Sequence, residues 1–321
     1  MQSDKRLFPL TLAVAEYDRT RPLLDGRVQP EGIALTSQTA SIPEFCLRPV
    51  YEEYDAAEMS ISWYVMAHCR QEPVIAIPIF PLRMPIHAYV FCRTDAPFTQ
   101  PNDLVGRRIG TRRYRSTINF WLRGILLDHY GIDPKELSWV TTYEEGDGFS
   151  VPPGISVTYR PDTGMEELLL NGEIDCLFSP VLPEAYRRGD PNIRRLFPNC
   201  KSEFETYFKK TGIFPITHTI VMNKTLWEKE PWVAERLFIA FKESQRQCEN
   251  FYYADPKHLT LSRAIFTLEE ERETFGPDPW ANGLEANRHV LETFVRYTYE
   301  QGYIDRVPSL EELFAHNTLS L

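Results

Sequence analysis

The chain has 321 residues, of which 43% are hydrophobic and 25% charged, an ordinary globular composition that excludes an intrinsically disordered protein. This length is enough for two lobes, each with its own hydrophobic core. The formal net charge of −10 excludes general nucleic-acid binding, which needs a basic surface. The chain has no run of 18 consecutive apolar residues, so we expect no membrane span and no membrane partner.

Cysteine usage and the start of the chain both bear on the cellular compartment. The six cysteines show neither C-x-x-C pairs nor zinc-ligand spacing: Cys46, Cys69, Cys92, Cys176, Cys200 and Cys248. Most lie in apolar contexts, so we expect buried, reduced thiols. The apolar run at 10–15 is too short for the core of a signal peptide and leads directly into Glu16. These features predict a cytoplasmic protein.

The first ninety residues alternate short apolar strands with helices. The predicted elements are a strand at 10–15, a helix at 20–25, a strand at 32–36, a helix at 41–54, a strand at 55–59, a helix at 62–70 and a strand at 74–80. A spacing of about twenty residues per strand–helix unit predicts parallel strands joined by crossover helices.

The alternation starts again after a strand predicted at 87–93. The second series comprises a strand at 107–111, a helix at 117–129, a strand at 137–141, an irregular segment at 146–161, a helix at 164–171 and a strand at 174–178. A strand at 216–223 crosses back, and long amphipathic helices follow at 232–252 and 285–300.

The sequence therefore predicts an α/β fold of two lobes with a helical C-terminal segment. Residues 1–93 and 215–321 form the first lobe, and residues 94–214 form the second. Two lobes joined by the strands near 87–93 and 216–223 are typical of a hinged clamshell that binds a ligand in its cleft.

A dense cluster of ionisable residues follows the first strand, where Glu16, Asp18, Arg19 and Arg21 occur within six positions. In open α/β sheets, such strand-to-helix junctions line the ligand crevice. We therefore interpret Asp18 and Arg19 as substrate-binding residues. A solvated turn with a helix N-cap is the alternative interpretation.

Several segments spread over nearly the whole chain share a pattern with one known family. They are 17–23 (YDRTRPL), 26–33 (GRVQPEGI), 58–62 (EMSIS), 77–81 (IPIFP), 121–126 (WLRGIL), 212–218 (GIFPITH) and 231–234 (PWVA). In this order they resemble the 4,5-dihydroxyphthalate decarboxylase family. The resemblance implies the fold of type II periplasmic solute-binding proteins, used for catalysis. Solute-binding components of transporters carry a secretion signal, and its absence here favours an intracellular enzyme.

The resemblance implies decarboxylation of 4,5-dihydroxyphthalate to 3,4-dihydroxybenzoate (protocatechuate) and carbon dioxide, a step in the degradation of aromatic compounds. Each carboxylate of this substrate lies para to a hydroxyl, whose oxygen can push electrons to the carboxylated carbon. No electron-sink cofactor is therefore expected. The protein must supply a proton donor, an acceptor for the phenolic proton and cations for the retained carboxylate.

Two histidines and a glutamate are the candidate catalytic residues. His218, which lies in the family motif, and His87 are the candidate proton donors, because each lies on a predicted interlobe strand and histidine titrates near neutral pH. Glu58, at a strand end, is the candidate proton acceptor, with Ser60 beside it as a substrate-binding residue. A helix-capping carboxylate is the alternative interpretation of Glu58. A divalent metal held by the two histidines and the glutamate also stays open, although no H-E-x-x-H motif supports it.

The basic run Arg112, Arg113, Tyr114 and Arg115 comes immediately before a predicted helix. Cations are unfavourable at a helix N-terminus unless an anion lies between them and the free backbone amides. Because arginine binds carboxylates in bidentate fashion, the run predicts a substrate-binding site shared with Arg19 of the first lobe. A solvated basic turn is the alternative.

Two functions of different classes fit these patterns. The first is a cofactor-independent decarboxylase whose partner is a small aromatic carboxylate. The second is a solute-binding protein that captures a small aromatic or carboxylate anion without converting it. The sequence leaves open whether the chain forms a homo-oligomer.

Overall fold

The structure is a computed structural model that describes residues 7–41, 49–146 and 150–321. Within these ranges the strands are β1 (Phe8–Val14), β2 (Ile33–Thr39), β3 (Ala56–Ser60), β4 (Val74–Arg83), β5 (Val90–Arg93), β6 (Arg108–Thr111), β7 (Ser138–Thr141), β8 (Ser156–Tyr159), β9 (Cys176–Phe178), β10 (Ile193–Arg195) and β11 (Ile216–Asn223). The α-helices are α1 (Arg21–Leu24), α2 (Val50–Glu53), α3 (Ile61–Cys69), α4 (Thr117–Tyr130), α5 (Met165–Leu170), α6 (Glu184–Arg187), α7 (Cys200–Thr211), α8 (Lys224–Lys229), α9 (Trp232–Tyr253), α10 (Ala264–Phe275), α11 (Leu284–Glu300) and α12 (Leu310–Leu313). In the described ranges, no helix has both the length and the apolar character needed to span a membrane.

The chain divides into two compact units. The first contains the residues up to Arg83 together with Ile216–Val295 and Arg306–Leu321, and the second contains Met84–Pro215 and Arg296–Asp305. The chain therefore enters the second unit after Arg83, leaves it after Pro215 and returns to it for Arg296–Asp305. Residues 84–93, assigned to the first lobe from the sequence, are in the second unit here.

The first unit is built on a five-stranded sheet with the order β2-β1-β3-β11-β4. The parallel pairing predicted from the strand–helix spacing is present between β1 and both of its neighbours. β11 departs from that pattern, because it returns from a distant part of the chain and pairs antiparallel with β3 and β4. All five residues of β3, the central strand of this sheet, are buried, including the polar Glu58 and Ser60. Buried side chains of α9, including Leu237 and Phe238, complete the core.

The pairing of β1, β3 and β11 places three chain segments at one edge of this sheet. Because β1 and β3 are parallel, with Leu12 paired to Ala56, their carboxyl ends lie side by side. β11 runs in the opposite direction and therefore begins where β3 ends, with His218 opposite Ser60. Carboxyl ends of parallel strands are where α/β proteins bind ligands.

The second unit contains a six-stranded sheet with the order β10-β5-β9-β6-β7-β8. The four strands from β9 to β8 in this order are mutually parallel, whereas β5 pairs antiparallel with β9 and β10. The prediction of an irregular segment at 146–161 is wrong at β8, an edge strand without buried residues. Its sequence therefore lacks the apolar signal of a core strand. α6, β10 and α7 were not predicted.

The prediction of a strand at 87–93 is also wrong for the first half of that segment. Residues Ile86–Tyr89 form a 3₁₀-helix, and only Val90–Arg93 form a strand. The turn is closed by a hydrogen bond from the Ala88 amide to the Pro85 carbonyl at 2.9 Å. Proline has a fixed φ that suits the start of such a turn, so the local backbone overrides the apolar strand pattern.

The sequence expectation of buried cysteines holds for two of the five that the structure describes. Cys92 and Cys176 are buried, whereas Cys69, Cys200 and Cys248 are partly exposed, and all five are free thiols. Cys46 lies outside the described residues. So do residues 42–48, half of the helix predicted at 41–54; the described part contains α2.

We expect Gly124→Ala to destabilise the second unit. A Cβ at this position of α4 would lie 2.2 Å from two ring carbons of Tyr297, whose hydroxyl is held by Asp128 at 2.9 Å. Overpacking of this kind costs about 1–3 kcal/mol, enough to exceed the gain of about 1 kcal/mol from alanine's helix propensity. Urea denaturation measures the change. In a Tyr297→Leu background, the same substitution should cost less, and an equal cost would contradict the steric explanation.

We also expect His87 to make stability depend on pH. Its side chain is buried among four aromatic rings, and neither ring nitrogen has a hydrogen-bond partner in the described ranges. Burial, with a smaller contribution from His129, lowers the pKa of His87 from 6.5 to about 4. Only the unfolded chain then binds the proton between these values. The free energy of unfolding therefore falls by about 2–3 kcal/mol as pH falls from about 6.5 to about 4.

The test variant is His87→Phe, which keeps an aromatic side chain. The control is His258→Asn, which removes a histidine at a half-exposed site. Denaturation curves at several pH values should show that His87→Phe removes this part of the pH dependence and that His258→Asn retains it. An unchanged slope in His87→Phe would show that other groups cause the acid sensitivity.

Candidate functional site

A buried carboxylate lies at the centre of the candidate site in the first unit. Glu58, on β3, is fully buried, and its Oε2 accepts a hydrogen bond from the Ala15 amide at 3.0 Å. Its Oε1 accepts a hydrogen bond from the Tyr17 hydroxyl at 2.7 Å and also contacts Nδ1 of His218 within hydrogen-bond distance. Three donors from two chain segments therefore satisfy this carboxylate.

The register of the sheet brings Glu58 and His218 together. His218 pairs with Ser60, and Ile220 pairs with Glu58, so the two functional side chains are diagonal neighbours on one face. The pairing of β11 with β4 is irregular on both sides of His218. The sequence predicted both residues for the site, and the structure brings them into direct contact.

The contact with Glu58 determines which nitrogen of His218 can exchange a proton. A carboxylate oxygen accepts hydrogen bonds, so we assign Nδ1 of the imidazole as the donor that faces Glu58. Nε2 makes no hydrogen bond to the described part of the chain. A histidine held this way can act as a general acid or base through Nε2. Because Glu58 is buried, this arrangement favours a positioning role for it over direct contact with a substrate.

Ser60 marks the end of β3 beside this pair. Its extended backbone is the N-cap of α3, and its side chain makes no capping hydrogen bond. It is 3% exposed and lies directly opposite His218 in the sheet. The predicted role of Ser60 in binding a substrate stays a prediction.

Arg19 lies in a turn that is fixed by Thr20. The buried Thr20 hydroxyl donates to the Ala15 carbonyl and accepts from the Tyr17 amide, both at 2.9 Å. The Arg19 guanidinium lies between two aromatic rings, 4.4 Å from the centroid of Tyr17 and 4.0 Å from that of Trp280. Burial lowers the pKa of Arg19, and Asp18 partly opposes this effect. The charge of Arg19 is therefore held by cation–π contacts and by one neighbouring carboxylate.

Arg19 has polar partners of its own within the first unit. Its Nε and Nη2 both donate to the Pro81 carbonyl, the former at 2.7 Å, and its Nη1 donates to Asp18 at 3.2 Å. Asp18 also accepts a hydrogen bond from the Tyr252 hydroxyl at 2.8 Å. A guanidinium has five N–H donors, so these contacts do not exhaust the capacity of Arg19 to bind a carboxylate.

A cavity of about 300 Å³ adjoins Asp18 and Arg19. Its walls contain three carboxylates, of Asp18, Glu249 and Glu271, and two guanidinium groups, of Arg19 and Arg272. Burial raises the pKa of both Glu249 and Glu271, because their charges are poorly solvated there. This charge balance disfavours a dicarboxylate inside the cavity.

The second unit has a groove of about 750 Å³ at the carboxyl ends of its four parallel strands. Arg112 follows β6, Tyr143 follows β7, Tyr159 ends β8 and Ser179 follows β9, and all four line the groove. The guanidinium carbon of Arg112 lies 4.6 Å from the centroid of the Tyr143 ring. The structure thus places the predicted Arg112 at a strand edge of the kind that binds ligands.

The other predicted residues of the basic run have different surroundings. Arg113 donates from Nε to the Glu144 carbonyl at 2.6 Å and is not among the residues that line the groove. Tyr114 is 2% exposed, and its ring packs edge-on against Trp139 at 5.1 Å. Its contacts are those of a core residue of the second unit.

The expectation of free backbone amides before α4 is wrong at two positions. The amides of Tyr114 and Arg115 donate to the carboxylate of Glu145, the latter at 3.1 Å. Buried amides need an acceptor, and the chain supplies one itself. Burial raises the pKa of Glu145, and these amide hydrogen bonds partly oppose that effect.

The metal site considered from the sequence would need Glu58, His218 and His87 together. The described rings packed around His87 all belong to the second unit, whereas the other two residues belong to the first and contact each other. In the described ranges, no group of three or more His, Cys, Asp or Glu residues is placed to hold a metal ion. The catalytic role of His87 stays a prediction.

Sequence reasoning did not assign roles to Tyr17, Trp280, Tyr143 or Ser179. The sequence did contain a signal for Tyr17, because this residue directly precedes Asp18 and Arg19 in the ionisable cluster. Tyr143 and Ser179 follow strands that were predicted, so their position at strand ends was an available signal. Trp280 is more than 250 residues from Arg19 and lies in a loop, and no local pattern links them.

Two relatives of the chain share one named function. The chain is 32% identical over 315 residues to a 4,5-dihydroxyphthalate decarboxylase of Comamonas testosteroni, covering 95% of this chain and 96% of the relative. A 4,5-dihydroxyphthalate decarboxylase of Pseudomonas putida is 32% identical over 209 residues, covering 62% of this chain and 81% of the relative. No family model matches the chain.

Solved structures show the fold. The periplasmic aliphatic sulphonate binding protein SsuA from Escherichia coli aligns with a TM-score of 0.55 at 12% identity, covering 96% of this chain and 92% of that one. The desulfurization enzyme DSZB aligns with a TM-score of 0.51 at 17% identity, covering 97% and 99%. The fold is therefore that of periplasmic binding proteins, and it occurs in an enzyme as well. On the sequence identity and coverage of the relatives, the chain belongs to the 4,5-dihydroxyphthalate decarboxylase family.

Proposed function

We propose that this protein is a carboxy-lyase that converts a hydroxylated aromatic dicarboxylate, most directly 4,5-dihydroxyphthalate, to protocatechuate and carbon dioxide. The observation that carries the proposal is His218, held through Nδ1 by the buried Glu58 at the ligand-binding edge of the first sheet. The named activity of the relatives supplies the substrate.

The proposed reaction needs a proton delivered to a ring carbon. The imidazolium of His218 donates from Nε2 to the carbon that bears the leaving carboxylate. The para hydroxyl supplies electron density and gives up its proton to solvent water, so that a dienone forms. The carbon–carbon bond then breaks, its electron pair restores the aromatic ring, and the oxygen regains a proton. One proton is consumed for each carbon dioxide released, and the hydroxyl takes the place of an electron-sink cofactor.

Glu58 has a defined part in this proposal. A buried anion beside Nδ1 stabilises the imidazolium and fixes the ring orientation, as carboxylates do for catalytic histidines. The retained carboxylate of the substrate needs cations, for which Arg19 in the first unit and Arg112 in the second are the proposed residues.

Release of carbon dioxide distinguishes this function from solute binding. Purified protein is incubated with 4,5-dihydroxyphthalate, and carbon dioxide and protocatechuate are quantified together. Equimolar formation of both supports the carboxy-lyase. Saturable binding of the dicarboxylate without either product would instead support the alternative of a non-catalytic binding protein.

We expect His218→Asn to reduce kcat about 10²–10⁴-fold, the usual contribution of general acid–base catalysis. The dissociation constant for substrate should change much less, because the proton transfer stabilises mainly the transition state. Steady-state kinetics and calorimetry measure the two quantities. His258→Asn, at a half-exposed site, is the matched control. Full turnover in a folded His218→Asn protein would rule out the proton-donor role.

We expect Arg19→Ala and Arg112→Ala each to weaken binding of the dicarboxylate by about 1.5–3 kcal/mol, the range for a charge-assisted hydrogen bond. Catechol, which keeps both hydroxyls but has no carboxylate, should be affected much less. Calorimetry with both ligands measures this difference. Arg27→Ala, which breaks an exposed ion pair with Asp25, is the control for loss of positive charge. Equal weakening of both ligands would show that the arginines act through folding or long-range charge.

A further inference from the structure

Tyr17 makes two contacts that link the predicted substrate-binding and catalytic residues of the first unit. Its hydroxyl donates to Oε1 of Glu58 at 2.7 Å, and its ring faces the guanidinium of Arg19 at 4.4 Å. The same Glu58 oxygen contacts Nδ1 of His218. One half-buried side chain therefore joins Arg19 to the Glu58–His218 pair.

The backbone holds Tyr17 in place independently of these side-chain contacts. Its amide donates to the Thr20 hydroxyl at 2.9 Å, and its carbonyl accepts from the amides of Thr20 and Arg21 at 3.2 and 2.9 Å. Thr20 is buried. A fixed backbone restricts the phenol to few rotamers, so its hydrogen bond to Glu58 costs little additional entropy.

Two donors on one carboxylate oxygen share its negative charge. The Tyr17 hydroxyl therefore limits how strongly Glu58 stabilises a positive charge on His218. Arg19 above the ring withdraws electron density and makes the phenol a stronger donor. The charged or titratable groups in contact with Glu58 or Tyr17 include His218 and Arg19.

We propose that Tyr17 is a positioning residue that adjusts the acid strength of His218 through Glu58 and orients Arg19 through its ring. This role rests on the proposed decarboxylation for its effect on turnover. Its effect on the His218 imidazole is independent of that function. The two contacts use different parts of the side chain, so different substitutions separate them.

The first test is Tyr17→Phe, which removes only the hydroxyl. We expect kcat to fall about tenfold, the factor for one ordinary hydrogen bond, while KM changes less than about twofold. The freed charge on Glu58 should favour the imidazolium, so half-protonation of His218, followed by NMR, moves about half a unit or more to higher pH. The limb of the pH–rate profile that reports His218 moves in the same direction.

The second variant, Tyr17→Leu, also removes the ring. It should reproduce the effect on His218 and in addition weaken dicarboxylate binding about as much as Arg19→Ala does. The matched control is Tyr51→Phe, because the Tyr51 hydroxyl donates to the Glu72 carboxylate in a similar pair outside the site. Tyr51→Phe should leave kcat and the His218 titration unchanged.

A double-mutant cycle with Glu58→Gln separates positioning from general destabilisation. If Tyr17 acts through Glu58, Tyr17→Phe has no further effect on the titration of His218 in the Glu58→Gln background. An equal shift in both backgrounds, or an unchanged titration in Tyr17→Phe alone, would overturn the proposal. Absence of carbon dioxide release by the unmodified protein would refute the proposed function. The titration of His218 would still decide the role of Tyr17.

Discussion

The burial of one carboxylate constrains the order of the strands in the first sheet. A carboxylate removed from water is costly unless hydrogen bonds replace its hydration. Glu58 obtains these from the Ala15 amide, the Tyr17 hydroxyl and Nδ1 of His218. Its donors come from the end of β1 and the start of β11, so the carboxylate is satisfied only when both flank β3. The sheet order and the candidate catalytic pair therefore depend on each other.

Carboxylates of the chain itself bind several of its positive or hydrogen-bond-donating groups. Glu145 accepts from the amides before α4, and Glu166 accepts from two amides at the start of α6. Asp18 accepts from Arg19. In a chain with a net charge of −10, carboxylates that already bind these amides and cations reduce the number of places where an anion can bind. Anion recognition then depends on a few guanidinium groups, and Arg112 at the groove of the second unit is one of them.

The sequence predicted those parts of the structure that rest on local pattern. Apolar strands followed by helices identified β1, β3, β6 and the parallel pairing around them, and the cluster after β1 pointed to the ligand-binding edge. The sequence did not predict β8, because an exposed edge strand lacks the pattern of apolar residues that marks a buried strand. The 3₁₀-helix around His87 was missed because its apolar residues resemble a strand, although a proline directly precedes it.

The sequence predicted which types of residue form the candidate site. It predicted only some of the contacts between them. Residues at strand ends, such as Glu58 and His218, could be grouped because strand ends share an edge. Contacts made across the fold had no such signal, and Trp280 against Arg19 is the clearest case. The amides of Tyr114 and Arg115 were predicted to be free to bind a ligand. Their acceptor, Glu145, lies further along the chain, and no sequence pattern connects it to them.

The insertion of β11 between β3 and β4 has a consequence for synthesis on the ribosome. β3 and β4 leave the ribosome long before β11, so their facing edges lack a partner until residues 216–223 have been made. The six strands of the second sheet are complete by Arg195 and can pair earlier. We therefore expect the second sheet to form first during translation. Unpaired strand edges promote aggregation, so the nascent first unit is the vulnerable part until β11 arrives.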